Sequence, residues 1–210
     1  MSKDTTRERI LTAASDEFSA KGFDKTTVRD ICTRADVNVA AINYHFRDKQ
    51  NLYYEVLAHW MDDYMEKTGL RESMTTLKAP EEKLRQYIRA ELSFTCKTND
   101  PDGIQLNQAR QILHELSAEN HNPDVFKCHK EVEEKILFPV VQELIGGCQD
   151  PAVVADAAMA ATSLTIHYLL RAMEDPQFAI QTEEDLDNTT NFLASFAMGG
   201  LKAIKEKCNA

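Results

Sequence analysis

Apolar residues recur along this chain at steps of three and four, while two-residue alternation is nearly absent, so helices are predicted almost throughout, in about nine segments. The first, Asp4 to Lys21, places Ile10, Leu11, Ala14 and Phe18 on one stripe and stops at Gly22. A second, capped by Thr26 or Thr27, turns Val28 and Ile31 inward and Arg29 and Arg34 outward before ending near Ala35. A third, "VAAINYHF", follows Asn38 as its cap. Asp36 falls where the intervening turn needs a left-handed residue, which Asp tolerates better than most side chains.

Two short helices joined by about four residues form the helix-turn-helix pattern, whose second helix enters the DNA major groove. The start of the third helix suits that task. Val39, Ala40 and Ala41 are small or apolar, so the backbone can approach base edges and the side chains can touch thymine methyls. Asn43, Tyr44 and His45 can donate to phosphates, as can Lys49 behind the expected cap Asp48.

From Lys49 to about Thr68, Leu52, Tyr53, Val56, Leu57, Trp60, Met61, Tyr64 and Met65 keep the helical step and link this head to a larger body. Further helices fit Pro80 to Lys97, Pro101 to Ala118 and Pro123 to Ile145, each with proline near its start and the last closed by Gly146 and Gly147. Pro139 is expected to kink or split its helix. In "DPAVVADAAMAATSLTIHYLLRAM" the polar positions shrink to Asp156, Ser163, His167 and Arg171, so most of this helix must be covered. The final helix, Glu183 to Lys207, carries Leu186, Leu193, Phe196, Ala197, Leu201 and Ile204, with Gly199 and Gly200 in mid-pattern. Each such glycine costs ~1 kcal/mol relative to Ala, which points to a close backbone approach. The two helices together read as half of a two-fold interface, drawn from Ala155, Ala158, Thr162, Thr165 and Leu169 on one and Leu193, Ala197, Gly200 and Ile204 on the other. The alternative is that both fill the core of a monomer.

With 210 residues, 43% hydrophobic and 28% charged, the chain can bury a substantial core in one or two domains, and only 7 Gly and 6 Pro interrupt it. The net charge of −10 argues at first against a nucleic-acid partner. Its distribution reverses that reading, because residues 1–53 hold nine Lys/Arg against eight Asp/Glu and leave 15 against 26 for the remainder. A near-neutral head can still present a basic face, since phosphate contacts depend on local charge. The N-terminus has no apolar signal-peptide core, and the most apolar run, Ala157 to Leu170, is shorter than the ~20 residues that span a bilayer, so a cytoplasmic protein with no membrane partner is expected. Five scattered cysteines, Cys32, Cys96, Cys128, Cys148 and Cys208, with no C-x-x-C pair, suit reduced thiols.

Other chemistry has less support. His114, Glu115, His121, Cys128, His129 and Glu133 cluster in sequence, yet their spacing matches no compact zinc motif and solvated helix polar groups explain them as well. No G-x-S-x-G, Gly-rich phosphate loop or H-E-x-x-H occurs, so neither an enzyme nor a cofactor is expected. Met61, Tyr64, Met65, Tyr87, Phe94, Met159, Ile166 and Tyr168 either line an apolar ligand pocket or serve as ordinary core.

The stretch "GFDKTTVRDICTRADVNVAAINYHFRDKQNLYYEVL" resembles the tetracycline-repressor (TetR) family of bacterial regulators, in Gly22 and Phe23, "TTVRDI", Ala35 and Val37 of the turn, "YHF", Lys49 and Leu52. The resemblance implies that Thr27 caps the second helix at the DNA backbone, that Arg29 reaches a base or phosphate, that Val39, Ala40 and Ala41 read bases, and that Tyr44, His45 and Lys49 hold phosphates. It departs from the family in Asp36, where Gly is usual, and Asn43, where an aromatic is frequent. It implies an all-α fold, with a helix-turn-helix DNA-binding domain over 1–48 and a helical ligand-binding and dimerisation domain over 49–210. It also makes the small-molecule pocket an expectation. The expected function is a homodimeric transcriptional regulator, a repressor that binds a palindromic operator and is released when an effector shifts the helix starting at Lys49. The alternatives are an activator of the same fold, or a helical binding protein or enzyme that keeps the head as a packing module.

Overall fold

The computed structural model describes residues 5–93, 104–116 and 130–208. Ten α-helices lie fully within them: α1 (Thr6–Lys25), α2 (Val28–Ala35), α3 (Val39–Phe46), α4 (Lys49–Lys67), α5 (Leu70–Thr76), α6 (Pro80–Ser93), α7 (Ile104–Leu116), α8 (Phe138–Leu144), α9 (Pro151–Glu174) and α10 (Glu183–Cys208). They divide into two compact units. One, the head, comprises residues 5–63 and Asn107–Leu116, and the other, the body, comprises Tyr64–Ser93, Ile104–Leu106 and 130–208.

In the head, α1 begins at a reciprocal cap in which Thr5 Oγ1 accepts from the Glu8 amide and Glu8 returns a carboxylate oxygen to the Thr5 amide. Gly22, at φ 77° and ψ 171°, interrupts the helix where the sequence predicts a stop, a conformation that glycine adopts without steric cost. Ile10, Phe18, Ile31, Ile42 and Phe46 from α1 to α3 meet Leu52, Tyr53, Val56, Leu57 and Trp60 of α4 in one buried cluster. Each large apolar side chain so buried contributes about 1.5–3 kcal/mol. The head's core therefore runs well past residue 48 into α4. Trp60 Nε1 donates to Ser15 Oγ at 2.7 Å, and α7 adds Ile112 to the same cluster and Gln111 against Gly22.

The body packs α6 against α10, with α8 and α9 alongside, around Leu70, Leu84, Ile88, Val141, Ala158 and Leu186. Arg89 pairs with Glu183 (2.6 Å) and Asp187 (2.9 Å), and Arg85 Nε donates to Asn191 Oδ1, tying the exposed side of α6 to α10. The short α5 was absent from the sequence reading; a left-handed Gly69 precedes it, and its seven residues are too few to display a period. Pro139 does not split its helix. A π-helical turn, Glu133–Leu137, leads straight into α8 with helical dihedrals throughout, and the Phe138 amide donates to Glu133 O. The wider turn absorbs the hydrogen bond that proline cannot make.

Most residues of the expected interface are covered at least in part within this one chain. Ala158, Thr165 and Leu169 on α9, and Leu193 and Ala197 on α10, are buried within this one chain, while Ala155, Thr162 and Ile204 are half-buried beside them. Of the expected set, only Gly200 is exposed. Ala157, Ala158 and Ala172 of α9 point inward, where their small size lets the helices of the body approach. The outward faces instead carry Met159 (68% exposed), Leu164, Ile166 (44%) and Leu170 on α9, and Phe192 (66%) and Phe196 (64%) on α10. Gly199 and Gly200 have open space where a Cβ would stand, so no close approach among the described residues explains them. α9 is also longer than its most apolar run, and by length and composition alone its 24 residues could cross a membrane. Its inner face, with Val154, Ala157, Ala158, Leu169 and Ala172 buried, packs as a core helix.

Candidate nucleic-acid interface

The elements expected to meet DNA are built by local chemistry that the sequence states openly. Thr27, in extended backbone, accepts from the Asp30 amide, while Asp30 accepts from both the Thr27 amide (2.9 Å) and its hydroxyl (2.8 Å). Those two hydrogen bonds hold the Asp30 carboxyl below its ordinary value. α2 runs its two turns and stops at Asp36, which is left-handed (φ 51°, ψ 57°) as expected, with its amide bonded to Cys32 and Thr33 carbonyls. Arg9 Nη2 donates to the Ala35 and Asp36 carbonyls, setting a cation at the negative end of α2. The Asp36 carboxylate itself is fully exposed, 3.6 Å from Arg9.

Asn38 then caps α3, its Oδ1 accepting from the Ala41 amide at 3.0 Å, which leaves the side-chain NH₂ as the donor for an outside group. Ile42 and Phe46, four residues apart, bury one face of α3 in the head's core. The opposite face presents Val39 (45% exposed), Ala40, Asn43 and Tyr44 (84%). Ala41 packs partly against the core, and His45 is half-buried with its ring 4.9 Å from that of Tyr44. Thr27 and Arg29 are exposed on α2.

Lys49 departs from expectation. Its ammonium donates to the carbonyls of Phe23 (2.7 Å) and Thr26 (2.9 Å) and lies 4.0 Å over the Phe23 ring. It is turned into the link between α1 and α2 and braces that link, rather than standing out toward a phosphate. The reason is that this link leaves two carbonyls without helical partners, and an ammonium satisfies both.

Most other cations of the head are also engaged. Arg34 and Lys21 converge on Glu17 (2.8 and 2.6 Å), a carboxylate buried in the head and held below its ordinary value first by Lys21 and then by Arg34, against the opposing effect of burial. Arg7 pairs with Glu55 and lies over the Phe46 ring. Among the described residues, Lys25, Arg29 and Arg47 enter no ion pair. Arg47 was missed by the sequence reading. It closes α3 at φ 73°, a conformation uncommon for a side chain of its size, and its exposed guanidinium sits one residue beyond "YHF". Its position directly after the third helix was the available signal.

The expected ligand residues scatter. Tyr64, Met65 and Tyr87 are buried in the body core, where Tyr64 donates to Glu91 Oε1 at 3.0 Å, and Tyr168 packs partly against it. Burial foremost, then the Glu91 carboxylate, raises the Tyr64 and Tyr87 phenols. Met61 packs on the head's core instead. Met159 and Ile166 both face outward on α9. Phe94 lies outside the described residues. An open groove of about 890 Å³ lined by Pro80, Glu143, Leu144, Met198 and Lys202, and a polar hollow of about 360 Å³ lined by Lys67, Gln86, Arg89, Ser93 and Gln105, include none of the expected set. Of the possible metal cluster, His121, Cys128 and His129 lie outside the described residues, and no group of three His, Cys, Asp or Glu side chains is arranged for a metal among those described.

Residues 10–56 match the model of a family described as "Bacterial regulatory proteins, tetR family". The chain is similar to YttP of Bacillus subtilis, a probable HTH-type transcriptional regulator, at 33% identity over 44% of this chain and 44% of that protein. It is also similar to a probable acrEF/envCD operon repressor of Escherichia coli, at 27% identity over 72% of this chain and 66% of the relative. The matched part thus spans less than two thirds of either relative's length. Among solved structures, the fold matches the transcriptional regulator FadR of Bacillus subtilis in complex with stearoyl-CoA, with a TM-score of 0.65 at 18% identity, over 91% of this chain and 97% of that one.

Proposed function

Since the chain belongs to the tetR family of bacterial regulatory proteins, we propose that it is a cytoplasmic repressor that binds a palindromic DNA operator as a homodimer and is released by a small-molecule effector. The observation that carries this reading is the capped two-turn α3, which is anchored through Ile42 and Phe46 and holds Val39, Ala40, Asn43 and Tyr44 outward. Val39 and Ala40 suit thymine methyls at base edges, and Asn43, Tyr44 and the free amide of Asn38 suit phosphates. Thr27 and Arg29 add the start of α2, Ala41 and His45 support the face from half-buried positions, and Arg47 is a further phosphate donor beside them. Lys49 serves by holding the link from which α2 starts.

The dimer is assigned to the outward faces of α9 and α10, with Met159, Leu164, Ile166, Leu170, Phe192 and Phe196 covered by the same residues of a second copy. Gly199 and Gly200, beside Phe196 and open to solvent, let the partner's helix approach there. Such a two-fold molecule sets its two recognition helices about 34 Å apart, one duplex turn, or a multiple of it. The effector pocket is assigned to the body, with Tyr64, Met65, Tyr87 and Tyr168 as its walls. That a structural relative carries stearoyl-CoA supports a body able to open around a ligand.

The test is selection of genomic DNA fragments by the purified protein, followed by titration of the enriched fragment at several salt concentrations. A palindrome bound by one dimer with a steep negative salt slope is expected. Binding without sequence preference, both before and after bound small molecules are stripped from the protein, would sink the reading.

A further inference from the structure

α6 buries an apolar stripe of Leu84, Ile88 and Leu92, and a helix so patterned ordinarily turns its opposite side to water. Here that side is covered too. From Lys83 to Ser93 no residue of α6 is exposed, so Gln86, Arg89 and Ser93, which follow one another at steps of three and four, are enclosed as well. What they face is the polar hollow of about 360 Å³, to which the end of α4 adds Lys67 and the start of α7 adds Gln105. That volume falls at the small end of the range for ligand sites. The donors in it are set in advance. Glu183 and Asp187 hold Nη2 and Nε of Arg89 (2.6 and 2.9 Å), which orients the planar guanidinium and leaves the Nη1 protons, among the described residues, for a further acceptor. Gln86 Nε2 donates one proton to the Thr68 carbonyl (3.1 Å) and keeps the other. The Ser93 hydroxyl, by contrast, donates to the Ala90 carbonyl within its own helix.

We propose that this hollow binds the oxyanion group, a carboxylate or a phosphate, of a small polar metabolite. Arg89 meets it with a guanidinium already held in place, Lys67 with an ammonium, and Gln86 with its second N–H. The lining carries those two cations against the single carboxylate of Glu183, so the local charge favours an anion over a cation. Nitrogen donors enclosed by protein are costly to leave without acceptors, and a charged acceptor satisfies them with bonds about twice as strong as neutral ones. The hollow shares no lining residue with the apolar pocket assigned to Tyr64, Met65, Tyr87 and Tyr168, and the assignment does not depend on what the protein does to DNA.

The experiment is equilibrium dialysis of the full chain against labelled inorganic phosphate and, separately, labelled acetate, at an ionic strength held constant with chloride. Saturable binding with a dissociation constant below about 10 mM is expected for one of the two probes, and which of them binds separates a phosphate ligand from a carboxylate one. Arg89→Lys keeps the charge and loses the planar fork, while Lys67→Met keeps the stem and loses the charge. Each is expected to weaken the binding by about tenfold or more while the circular dichroism of the parent is retained. The proposal is overturned if neither probe saturates, or if either folded variant binds as the parent does, which would place the ion on another surface such as the head.

Discussion

Replacing Lys49 by Met separates a brace from a phosphate ligand, because Met keeps the hydrocarbon stem over Phe23 and deletes only the charge. The deletion removes two charge-assisted hydrogen bonds, to Phe23 O at 2.7 Å and Thr26 O at 2.9 Å, and one ammonium–ring contact at 4.0 Å. Hydrogen bonds to charged groups contribute about 1.5–3 kcal/mol each and a cation over a ring about 0.5–2 kcal/mol. Lys49 is half-buried, so solvent replaces part of this, and a loss of about 2–3 kcal/mol is expected. Trp60, the single tryptophan, is buried in the head and reports its unfolding by fluorescence. At a urea dependence of about 1–3 kcal/mol per molar, the midpoint falls by roughly 0.7–3 M.

DNA titration supplies the opposing readout. A dimer that lost a direct phosphate contact from each head would lower the slope of log affinity against log salt by about 1.8. If Lys49 only braces the link between α1 and α2, that slope stays as in the parent while the folded head is maintained. An unchanged midpoint together with a slope reduced by about two would refute the reasoning and return Lys49 to the DNA face.

Arg29→Ala is expected to behave in the opposite way. Its side chain is exposed and enters no described ion pair, so stability stays within about 0.5 kcal/mol while the salt slope of operator binding falls by about 1.8 for two heads; an unchanged slope removes Arg29 from the interface. Phe192→Glu combined with Phe196→Glu places two like charges on the apolar face, and sedimentation is expected to show a folded monomer, whereas an intact dimer would move the interface elsewhere. Glu17 sets an acid response: its folded value is depressed, so its stabilisation is complete above the unfolded carboxylate value and is lost as pH falls through the lower folded one. The Trp60 midpoint of Glu17→Gln is therefore expected to fall less below pH ~4.5 than that of the parent, and superimposable acid profiles would count against the Lys21–Glu17–Arg34 cluster.

The head was legible in the sequence because its decisive signals are local. A threonine cap, offered as Thr26 or Thr27 and found at Thr27, Asn38 before a small-residue run, and an Asp at the left-handed turn each fix the backbone within a few residues. The faces of the body helices were not legible, because α9 is apolar around most of its circumference and its period cannot distinguish inside from outside. Small residues were read as the interface, yet within the chain they let helices approach, while Met159, Ile166, Phe192 and Phe196 remain uncovered. The bracing contacts of Lys49 were hidden for a related reason. A lysine in a first helical turn reads as solvated, and only the tertiary fold brings it to two carbonyls 26 and 23 residues earlier.

α4 contributes side chains to both clusters. Leu52, Val56, Leu57 and Trp60 are buried in the head's cluster, while Tyr64 and Met65, one turn further on, are buried in that of the body. Cores close-packed in this way favour a small number of discrete arrangements over gradual bending. Under the proposed function, an effector would change operator affinity only through its unequal affinity for such arrangements, about 1.4 kcal/mol for every tenfold change in DNA binding. Tyr64→Phe, which deletes the bond to Glu91 but leaves the ring in place, perturbs that balance from the body side alone, without touching any residue of the DNA face.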